Sequence, residues 1–319
     1  MYRGGRFYSL VMENVYRNFY RNFYLRTNGF IPAKPLDLNF FPGDFFQIYN
    51  GEMTLLGNIF RSPVIDAADV EFGDARAMKL NAANWQFSEG VTKPYSGRGT
   101  GHNPIGGDFE FSKQVLGFAR RGSFFFRANN PESVKILNWN DLQQQLIIKL
   151  TQTYYSFREL YLVTESATAS DWTLAIAGAE QGELEIATDS ENFGLVDIFG
   201  HHSAKTIQSK EIEYYQRETG RRPTFFKAKK LVVQDEKLEN FISGLMLESQ
   251  GANEWASSFF DYEFDYDTGY HIAGQRHAQA SVLDMLKANE LNPTSALLYF
   301  KWADANLDDI EKLFLTYGA

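Results

Sequence analysis

Residues 138–177 read NWNDLQQQLIIKLTQTYYSFRELYLVTESATASDWTLAIA, and this stretch decides the fold class that the sequence predicts. Its first part has the apolar spacing of a helix with one buried face. The apolar positions are Leu142, Leu146, Ile147 and Leu150, opposite a face rich in glutamine. Asn138 is of a residue type that favours the beginning of a helix. We therefore expect a helix over Trp139–Gln152.

The second part of the same stretch has the composition of two β-strands. Leu160–Thr164 and Trp172–Ile176 are dense in β-branched and aromatic residues, and we expect them to form a strand pair. Residues 183–188 alternate polar and apolar after a Gln181-Gly182 turn, which predicts pairing with the strand before that turn. The sequence thus predicts an α+β fold: a twisted, mixed, mainly antiparallel sheet with peripheral helices, over residues 31–233.

The composition of the chain excludes several classes of site. Among 319 residues there is no cysteine, so disulfides, thiolate metal sites and a cysteine nucleophile are ruled out. No opening signal peptide and no run of 18 apolar residues is present, which predicts a cytoplasmic protein. Aromatic residues make up 16% of the chain and supply material for a large core.

Charge is divided unevenly along the chain. Residues 1–35 hold six basic residues against one acidic, a net +5, and residues 201–233 hold eight against three, again +5. Residues 234–319 carry fifteen acidic against five basic residues, a net −10. Such a division indicates attraction to an anionic surface, or one part of the chain covering another. The alternative is a set of unrelated solvated faces.

The N-terminal region, residues 1–30, contains a short repeat, YRNF-YRNF-Y over residues 16–24. A helix sorts these residues into an aromatic stripe flanked by arginines, whereas a strand mixes them. This pattern is typical of a helix in a membrane interface, and it predicts a set of membrane-binding residues. The predicted residues are Arg17, Phe19, Tyr20, Arg21, Phe23 and Tyr24. The alternative is an ordinary helix packed on the core with its arginines outward.

Motifs for chemistry are weak. The glycine-rich residues 95–107 lack the Lys-Ser/Thr of a phosphate-binding loop, and we interpret them as a mobile connection. His201 and His202 are adjacent, so in a strand they point to opposite faces and cannot close a metal site alone. A metal-dependent hydrolase using these histidines or His102 is the third-ranked hypothesis. We expect no enzyme activity, no catalytic residue, no metal and no cofactor.

The acidic region, residues 234–319, is predicted to be mostly helical, with helices over 278–288 and 295–300 and a short final helix beginning at Asn306. We expect it to cover the basic core and to inhibit it. Exposed ion pairs contribute too little for this, so apolar contacts must hold the region in place. The predicted contacts are Trp255, Phe259, Phe260, Leu283 and Leu286, with Leu298 and Phe300 as further candidates.

Two stretches carry a family resemblance. Residues 159–165 read ELYLVTE and residues 225–231 read FFKAKKL. With the helix that precedes the first, they resemble the pore-forming domain of gasdermins, especially the bacterial ones, over about residues 28–233. The resemblance implies a twisted central sheet that refolds into membrane-spanning hairpins in a large ring once a C-terminal inhibitory segment is released. Lys227, Lys229 and Lys230 are then predicted to bind membrane as well.

The resemblance and the charge division together predict a soluble, autoinhibited effector of defence or cell death. Its expected partners are an anionic lipid membrane, further copies of itself and an activating protease, but not nucleic acid. The protein would move from the cytoplasm to the membrane on activation. The second hypothesis is a non-enzymatic structural or adaptor subunit that assembles with itself or with partner proteins.

Overall fold

The computed structural model of the chain describes residues 5–61, 64, 70–71, 78–103, 107–151, 160–189, 208–234, 296–298 and 300–315. At residues 5–14, 93–103, 107–114, 151, 186–189, 208 and 233 only the backbone is described. The helices are α1 (Gly5–Arg26), α2 (Trp139–Thr151) and α3 (Leu307–Lys312), and a 3₁₀ turn spans Ala82–Trp85. The strands are β1 (Ile31–Pro32), β2 (Asp44–Tyr49), β3 (Glu52–Asn58), β4 (Met78–Lys79), β5 (Gln86–Glu89), β6 (Val91–Asn103), β7 (Gly107–Phe118), β8 (Phe124–Asn129), β9 (Glu132–Lys135), β10 (Tyr161–Thr168), β11 (Asp171–Ala177), β12 (Gly182–Asp189), β13 (Gln208–Lys210), β14 (Ile212–Glu218), β15 (Phe225–Val233) and β16 (Phe300–Asp304).

These elements confirm the predicted α+β class, with mainly antiparallel sheets and few helices. The chain divides into two compact units. The first unit consists of Met1–Asn28, Lys79–Glu132 and Thr168–Arg222, and the second of Gly29–Met78, Ser133–Ala167 and Pro223–Ala319. The domain boundaries predicted at residues 30 and 233 stay a prediction, and both units draw on separate parts of the chain because strand pairing joins distant segments.

The first unit contains two four-stranded sheets. Their strand orders are β14-β11-β8-β5 and β13-β12-β7-β6. Buried side chains from both sheets form one apolar cluster, which includes Ala175 of β11 and Leu116 of β7. The buried rings of α1 pack against Phe124 and Phe126 of β8. Strand β8 alternates buried and half-buried residues, as expected when its two faces meet different neighbours.

The second unit contains an eight-stranded sheet with the order β1-β15-β10-β2-β3. Strand β16 also pairs with β15, and β9 pairs with β10 and β4. Helix α2 begins at the predicted residue, Trp139, and its predicted apolar face packs against the sheet through Leu142, Leu146, Ile147 and Leu150. Strands β2 and β3 form a hairpin through Asn50 (φ 49°) and Gly51 (φ 77°), the left-handed conformations that an Asn-Gly turn supplies.

The predicted strand pair at residues 160–176 is wrong in its pairing. Both strands form, but β10 pairs with β15 and β2, whereas β11 pairs with β14 and β8. The chain leaves β10 at Ala169, and Ser170 bonds to the backbone of Asn129 on β8 through its N–H and its hydroxyl. This attachment turns the chain into the other sheet.

Two further predictions are corrected by the pairing of β7. Strand β12 pairs with β7 and β13, not with the strand before its turn. The glycine-rich residues 95–103 form part of β6 and pair with β7, where a mobile connection was predicted. Glycine disfavours strands by its own propensity, but a long partner strand supplies a ladder of hydrogen bonds that overrides it.

The C-terminal region is described only at residues 234, 296–298 and 300–315. The final helix begins after Asn306 as predicted, since α3 spans Leu307–Lys312. The helix predicted over residues 295–300 is only partly present: residues 296–298 are helical, and Phe300 begins strand β16. The sequence FKWAD is short and rich in strand formers, so an available edge on β15 decides its conformation.

Candidate functional site

The site is built on β15, whose sequence FFKAKKLVV places three lysines in a strand. Phe225 and Phe226 are fully buried and fix the beginning of the strand in the core. Because side chains alternate along a strand, the neighbouring residues Lys229 and Lys230 point to opposite faces of the sheet. β10 lies on one side of β15, and β1 and β16 share the other.

The C-terminal residues 300–315, which we name the tail segment, lie along this basic strand. β16 pairs antiparallel with β15 in a register that runs from Lys229 opposite Asp304 to Val233 opposite Phe300. The backbone N–H of Ala305 donates to the carbonyl of Ala228 at 3.0 Å, which extends the contact by one residue. Acidic residues of the tail segment are thereby placed directly beside the lysines of β15.

The first ion pair, between Lys229 and Asp304, lies at the surface. The Lys229 Nζ donates to Asp304 Oδ1, and the Asp304 side chain is 80% exposed. An exposed pair of this kind contributes about 0–1 kcal/mol. The pairing of opposite charges favours this strand register, but its free energy is too small to hold the tail segment in place.

The second ion pair joins a half-buried lysine to a buried carboxylate. Lys230 Nζ donates to Asp309 Oδ1 at 2.8 Å, and Asp309 is only 1% exposed. Tyr161 of β10 donates its hydroxyl proton to the same oxygen at 2.8 Å, and Lys312 Nζ lies 3.7 Å away. A buried carboxylate is tolerated only with charged and hydrogen-bonding partners, and these three groups supply them.

Helix α3 presents Asp309 in this position through a capping box. Asn306 Oδ1 accepts from the N–H groups of Asp308 and Asp309, and Asp309 Oδ2 accepts from the Asn306 N–H at 2.8 Å. One carboxylate thus closes the beginning of the helix with one oxygen and binds Lys230 with the other. The local sequence N-L-D-D therefore fixes the geometry of a contact to a distant strand.

Aromatic residues form a second part of the contact. The Trp302 Nε1–H donates to the carbonyl of Gln143 on α2 at 3.1 Å. The rings of Trp139 and Trp302 lie edge to face, with centroids 5.4 Å apart. Lys229 Nζ lies 5.6 Å from the centroid of Trp139. This part of the contact is largely apolar, so salt does not screen it.

The end of the tail segment is fixed by a third group. Lys34 donates to the carbonyl of Leu313 and lies 4.6 Å from the ring centroid of Phe314. Phe300, Ile310 and Leu313 are buried to 2% exposure or less. A Cβ added at Gly51 would come within 2.8 Å of the Leu313 carbonyl oxygen, so the hairpin turn approaches the tail segment closely. We name the surface formed by Lys34, Gly51, Trp139, Tyr161, Lys229 and Lys230 the tail socket.

The third lysine of the strand, Lys227, has partners outside the tail segment. Its Nζ lies 3.3 Å from Glu165 Oε2 and 4.5 Å from the ring centroid of Phe30. Ser133 donates to the other oxygen of Glu165 at 2.6 Å. All three lysines predicted to bind membrane thus have acidic partners in this structure, and their membrane contact stays a prediction.

The predicted membrane helix, α1, is packed on the first unit with its rings inward. Phe19, Tyr20 and Phe23 are at most 2% exposed, whereas Arg17 and Arg21 are exposed and Tyr24 is half-buried. This is the arrangement of the core-packed alternative. Membrane contact by the arginines stays a prediction, and contact by the three buried rings would need α1 to separate from the sheet.

A polar group ties α1 to β5. Asn22 Nδ2 donates to Glu89 Oε2 at 2.8 Å, and Arg120 Nη2 donates to Glu89 Oε1 at 3.0 Å. Burial by itself raises the pKa of Glu89, but hydrogen bonds from Asn18, Asn22 and Arg120 outweigh it, so the pKa is lowered overall. The charged form of Glu89 therefore stabilises the packed position of α1.

The other predicted residues fall largely outside the described part of the chain. These are Trp255, Phe259, Phe260, Leu283 and Leu286 of the acidic region and the histidines His201 and His202. His102 is in β6, where only the backbone is described. Of the further tail candidates, Phe300 is buried and Leu298 is 45% exposed. Within the described ranges, no group of three His, Asp or Glu residues is placed to hold a metal ion.

Sequence reasoning missed two residues that anchor the tail segment by hydrogen bonds, Trp302 and Asp309. A signal for Asp309 was present, because Asn306 and Asp309 have the spacing of a capping box. The same spacing gave no indication that the carboxylate also bonds to β15.

No helix in the described part of the chain is long and apolar enough to cross a membrane.

Comparisons with known proteins give matches only at the level of structure. No protein-family profile and no curated protein sequence matches the chain. The cryo-EM structure of the gasdermin A3 membrane pore aligns at 9% identity over 69% of this chain and 90% of that chain, with a TM-score of 0.31. A bacterial gasdermin from Bradyrhizobium tropiciagri aligns at 10% identity over 62% and 80%, with a TM-score of 0.25. Both scores are low, so the proposal below rests on the contacts of the described residues.

Proposed function

We propose that this chain is a non-enzymatic protein that binds anionic membranes and forms pores in them, and that its C-terminal region holds it inactive. The observation that carries the proposal is the buried pair of Asp309 and Lys230. It places an acidic tail segment on the strand that resembles the basic closing strand of a pore-forming domain. The division of charge along the sequence supports the same interpretation.

The tail segment satisfies two physical requirements of an inhibitor. It neutralises Lys229 and Lys230, which would otherwise be available to lipid phosphates. It also occupies the outer edge of β15 over Lys229–Val233, and an unoccupied strand edge is a surface on which another chain can add a strand. Release of the tail segment would thus free one lysine on each face of β15 and, at the same time, a strand edge for self-assembly.

Release in two steps is consistent with these contacts. A protease that cuts near residues 234–240 would remove the covalent connection, after which the tail segment is held only by its own contacts. A membrane would then compete for the lysines of β15. Oligomerisation, movement to the membrane and a role in defence or cell death belong to this proposal and follow from the family resemblance.

Dye release from vesicles tests the proposal. A protease site is placed at residues 235–240 of the full chain, and the protein is compared before and after cutting. Cut protein should release dye from vesicles that contain anionic lipid, and uncut protein should not. Vesicles of neutral phosphatidylcholine are the control, because the attraction of the lysines requires lipid charge.

The same test distinguishes pore formation from the hypothesis of a structural or adaptor subunit. If cut protein leaves anionic vesicles intact and stays monomeric in light scattering, pore formation is wrong. Assembly of uncut protein in solution, without lipid, would favour the structural or adaptor subunit. Equal dye release by uncut and cut protein would support membrane action but contradict inhibition by the C-terminal region.

A further inference from the structure

The tail segment makes four kinds of contact with its surroundings, and the residues just before it add a buried Ala296 and a hydrogen bond from Gln234 Nε2 to the Leu298 carbonyl at 3.1 Å. β16 supplies the backbone ladder, Trp302 bonds to α2, Asp309 enters the buried site on β15, and Phe314 meets Lys34. Each of these contacts depends on the tail segment itself and on the tail socket. None of them depends on which chain the segment belongs to.

The stretch of chain that connects β15 to the tail segment is long in sequence. β15 ends at Val233 and β16 begins at Phe300. A connection raises the local concentration of its own tail segment at the socket, and this advantage falls as the connection lengthens. A socket makes identical contacts with its own tail segment and with that of another copy. Its preference for its own therefore depends only on how the effective concentration of that tail segment compares with the concentration of other copies.

We infer that the tail socket also accepts the tail segment of a second copy of this chain, so that two copies exchange residues 300–315. An exchanged pair in which residues 296–298 move with the tail segment keeps the described hydrogen bonds and ion pairs of that segment, so exchange costs little in contact energy. Among the described strands β16 pairs with β15 alone, so within them it can leave without breaking a ladder on both sides. This inference does not rest on pore formation.

The socket also explains why a second copy is the partner. The socket recognises an extended segment that is followed, five residues after Asp304, by the carboxylate of Asp309. That carboxylate lies in the first turn of a capped helix. That acid must meet Tyr161 Oη and Lys230 Nζ together, each at 2.8 Å. An acidic segment of another sequence would match the half-buried Lys229 but would leave Tyr161 and Lys230 without their shared carboxylate.

Cysteine cross-linking of the full chain tests the exchange, because the chain contains no cysteine. Val232 and Lys301 lie directly opposite each other in the β15–β16 ladder, a separation that a disulfide can span. Val232→Cys protein is mixed with Lys301→Cys protein and mildly oxidised. If a chain's own tail has an effective concentration of about 1 mM, about a tenth of the chains should exchange at a total of 100 µM. In an equal mixture about half of the exchanged pairs combine the two variants and can form the cross-link.

Two controls make the result decisive. The double variant Val232→Cys/Lys301→Cys should form the disulfide within one chain, which shows that both substitutions leave the ladder intact. A mixture of Val232→Cys with Lys149→Cys, an exposed position on α2, measures random collision. Dimer no more abundant than in that mixture at every protein concentration, while the double variant closes, would overturn the inference.

A synthetic peptide of residues 298–315 supplies an independent arm. Added in excess, it should compete for the socket and lower the cross-linked dimer several-fold. The same peptide with Asp309→Asn should compete much less, because it lacks the carboxylate for Lys230. A dimer yield that neither peptide changes would show that the cross-link forms outside the socket and would contradict the exchange.

Discussion

The carboxylate of Asp309 accepts a 2.8 Å hydrogen bond from the hydroxyl of Tyr161, a residue 148 positions earlier in the chain. Both residues are at most 1% exposed. The same carboxylate oxygen accepts from Lys230, so one buried atom joins the tail segment to two neighbouring strands of the sheet. Because a buried charge is stable only with its partners in place, this relationship makes the position of the tail segment depend on one residue.

Asp309→Asn should weaken the tail contact strongly, by about 3 kcal/mol, because it removes the buried charge that Lys230, a largely buried lysine, pairs with. The free energy of unfolding in urea, and the protection of α3 from hydrogen exchange, are the measurements. Asp308→Asn is the matched control, since its neighbour Asp308 is exposed and should change stability by less than about 0.5 kcal/mol. Equal effects of the two substitutions would contradict the role assigned to Asp309.

Gly51→Ala should displace the tail segment. Gly51 has φ +77°, and an added Cβ would meet the Leu313 carbonyl oxygen at 2.8 Å. Gly122→Ala is a control with the same φ, +77°, but its added Cβ meets only the Val15 carbonyl oxygen at 3.7 Å. Both substitutions should lower the free energy of unfolding by about 1 kcal/mol, because alanine disfavours the left-handed backbone conformation. Only Gly51→Ala should also increase hydrogen exchange in α3, and exchange unchanged by it would contradict the close approach.

Cutting the chain within residues 235–240 should leave the two pieces associated in the absence of membrane. The exposed pair of Lys229 and Asp304 is screened by salt, but the burial of Phe300, Ile310 and Leu313 is not. Gel filtration at low and at high salt should therefore show only partial separation at 1 M salt. Complete separation by salt alone would mean that charge dominates the contact.

Replacing Arg17 and Arg21 with Glu should weaken binding to anionic vesicles by about 1 kcal/mol or more for each charge. Both residues are exposed on α1, so the substitution leaves the buried rings of the helix in place. Co-sedimentation with vesicles of increasing anionic content measures the change, and neutral vesicles control for loss of fold. Binding that the double substitution does not change would leave α1 as a core helix alone.

Glu89 should contribute to stability at neutral pH and lose that contribution in acid. Its pKa in the folded protein is lowered below the ordinary value of 4.5, so the charged form favours folding. The contribution is fully present above that ordinary value and is lost as pH falls through the lower folded pKa. Glu89→Gln should thus reduce the free energy of unfolding at pH 7 and differ less from the unsubstituted protein near pH 3. Glu183→Gln, at an exposed position, should show little difference at either pH.

Local sequence was sufficient for the helices and the tight turns. The apolar spacing of Leu142, Leu146 and Leu150 predicts α2, and Asn306 predicts the beginning of α3. Asn50-Gly51 predicts the β2–β3 hairpin, because only a few residue types adopt the left-handed conformations that such a turn needs. These features depend on neighbours in the chain, so the sequence contains the information in one place.

The charge division could also be read from the sequence, but its consequence could not. The sequence predicts that an acidic region covers a basic one, and it names apolar residues most of which lie outside the described ranges. The contact that the structure describes uses Phe300 of that set together with Trp302 and Asp309, which were not in it. A capping acid and a lone tryptophan have no periodicity that would mark them as contact residues.

Within the described residues, the sequence by itself determined the α+β class, the positions of α1 and α2 and the presence of strands such as β10, β11 and β12, since periodicity and turn residues are local properties. Only the tertiary structure decided that β10 and β11 enter different sheets, that glycine-rich residues form β6, and that residues 300–304 add a strand to β15. Strand pairing is decided by hydrogen bonds and packing between distant segments. Packing between distant segments also brings Asp309 within 2.8 Å of Tyr161 and Lys230, which are far from it in the sequence.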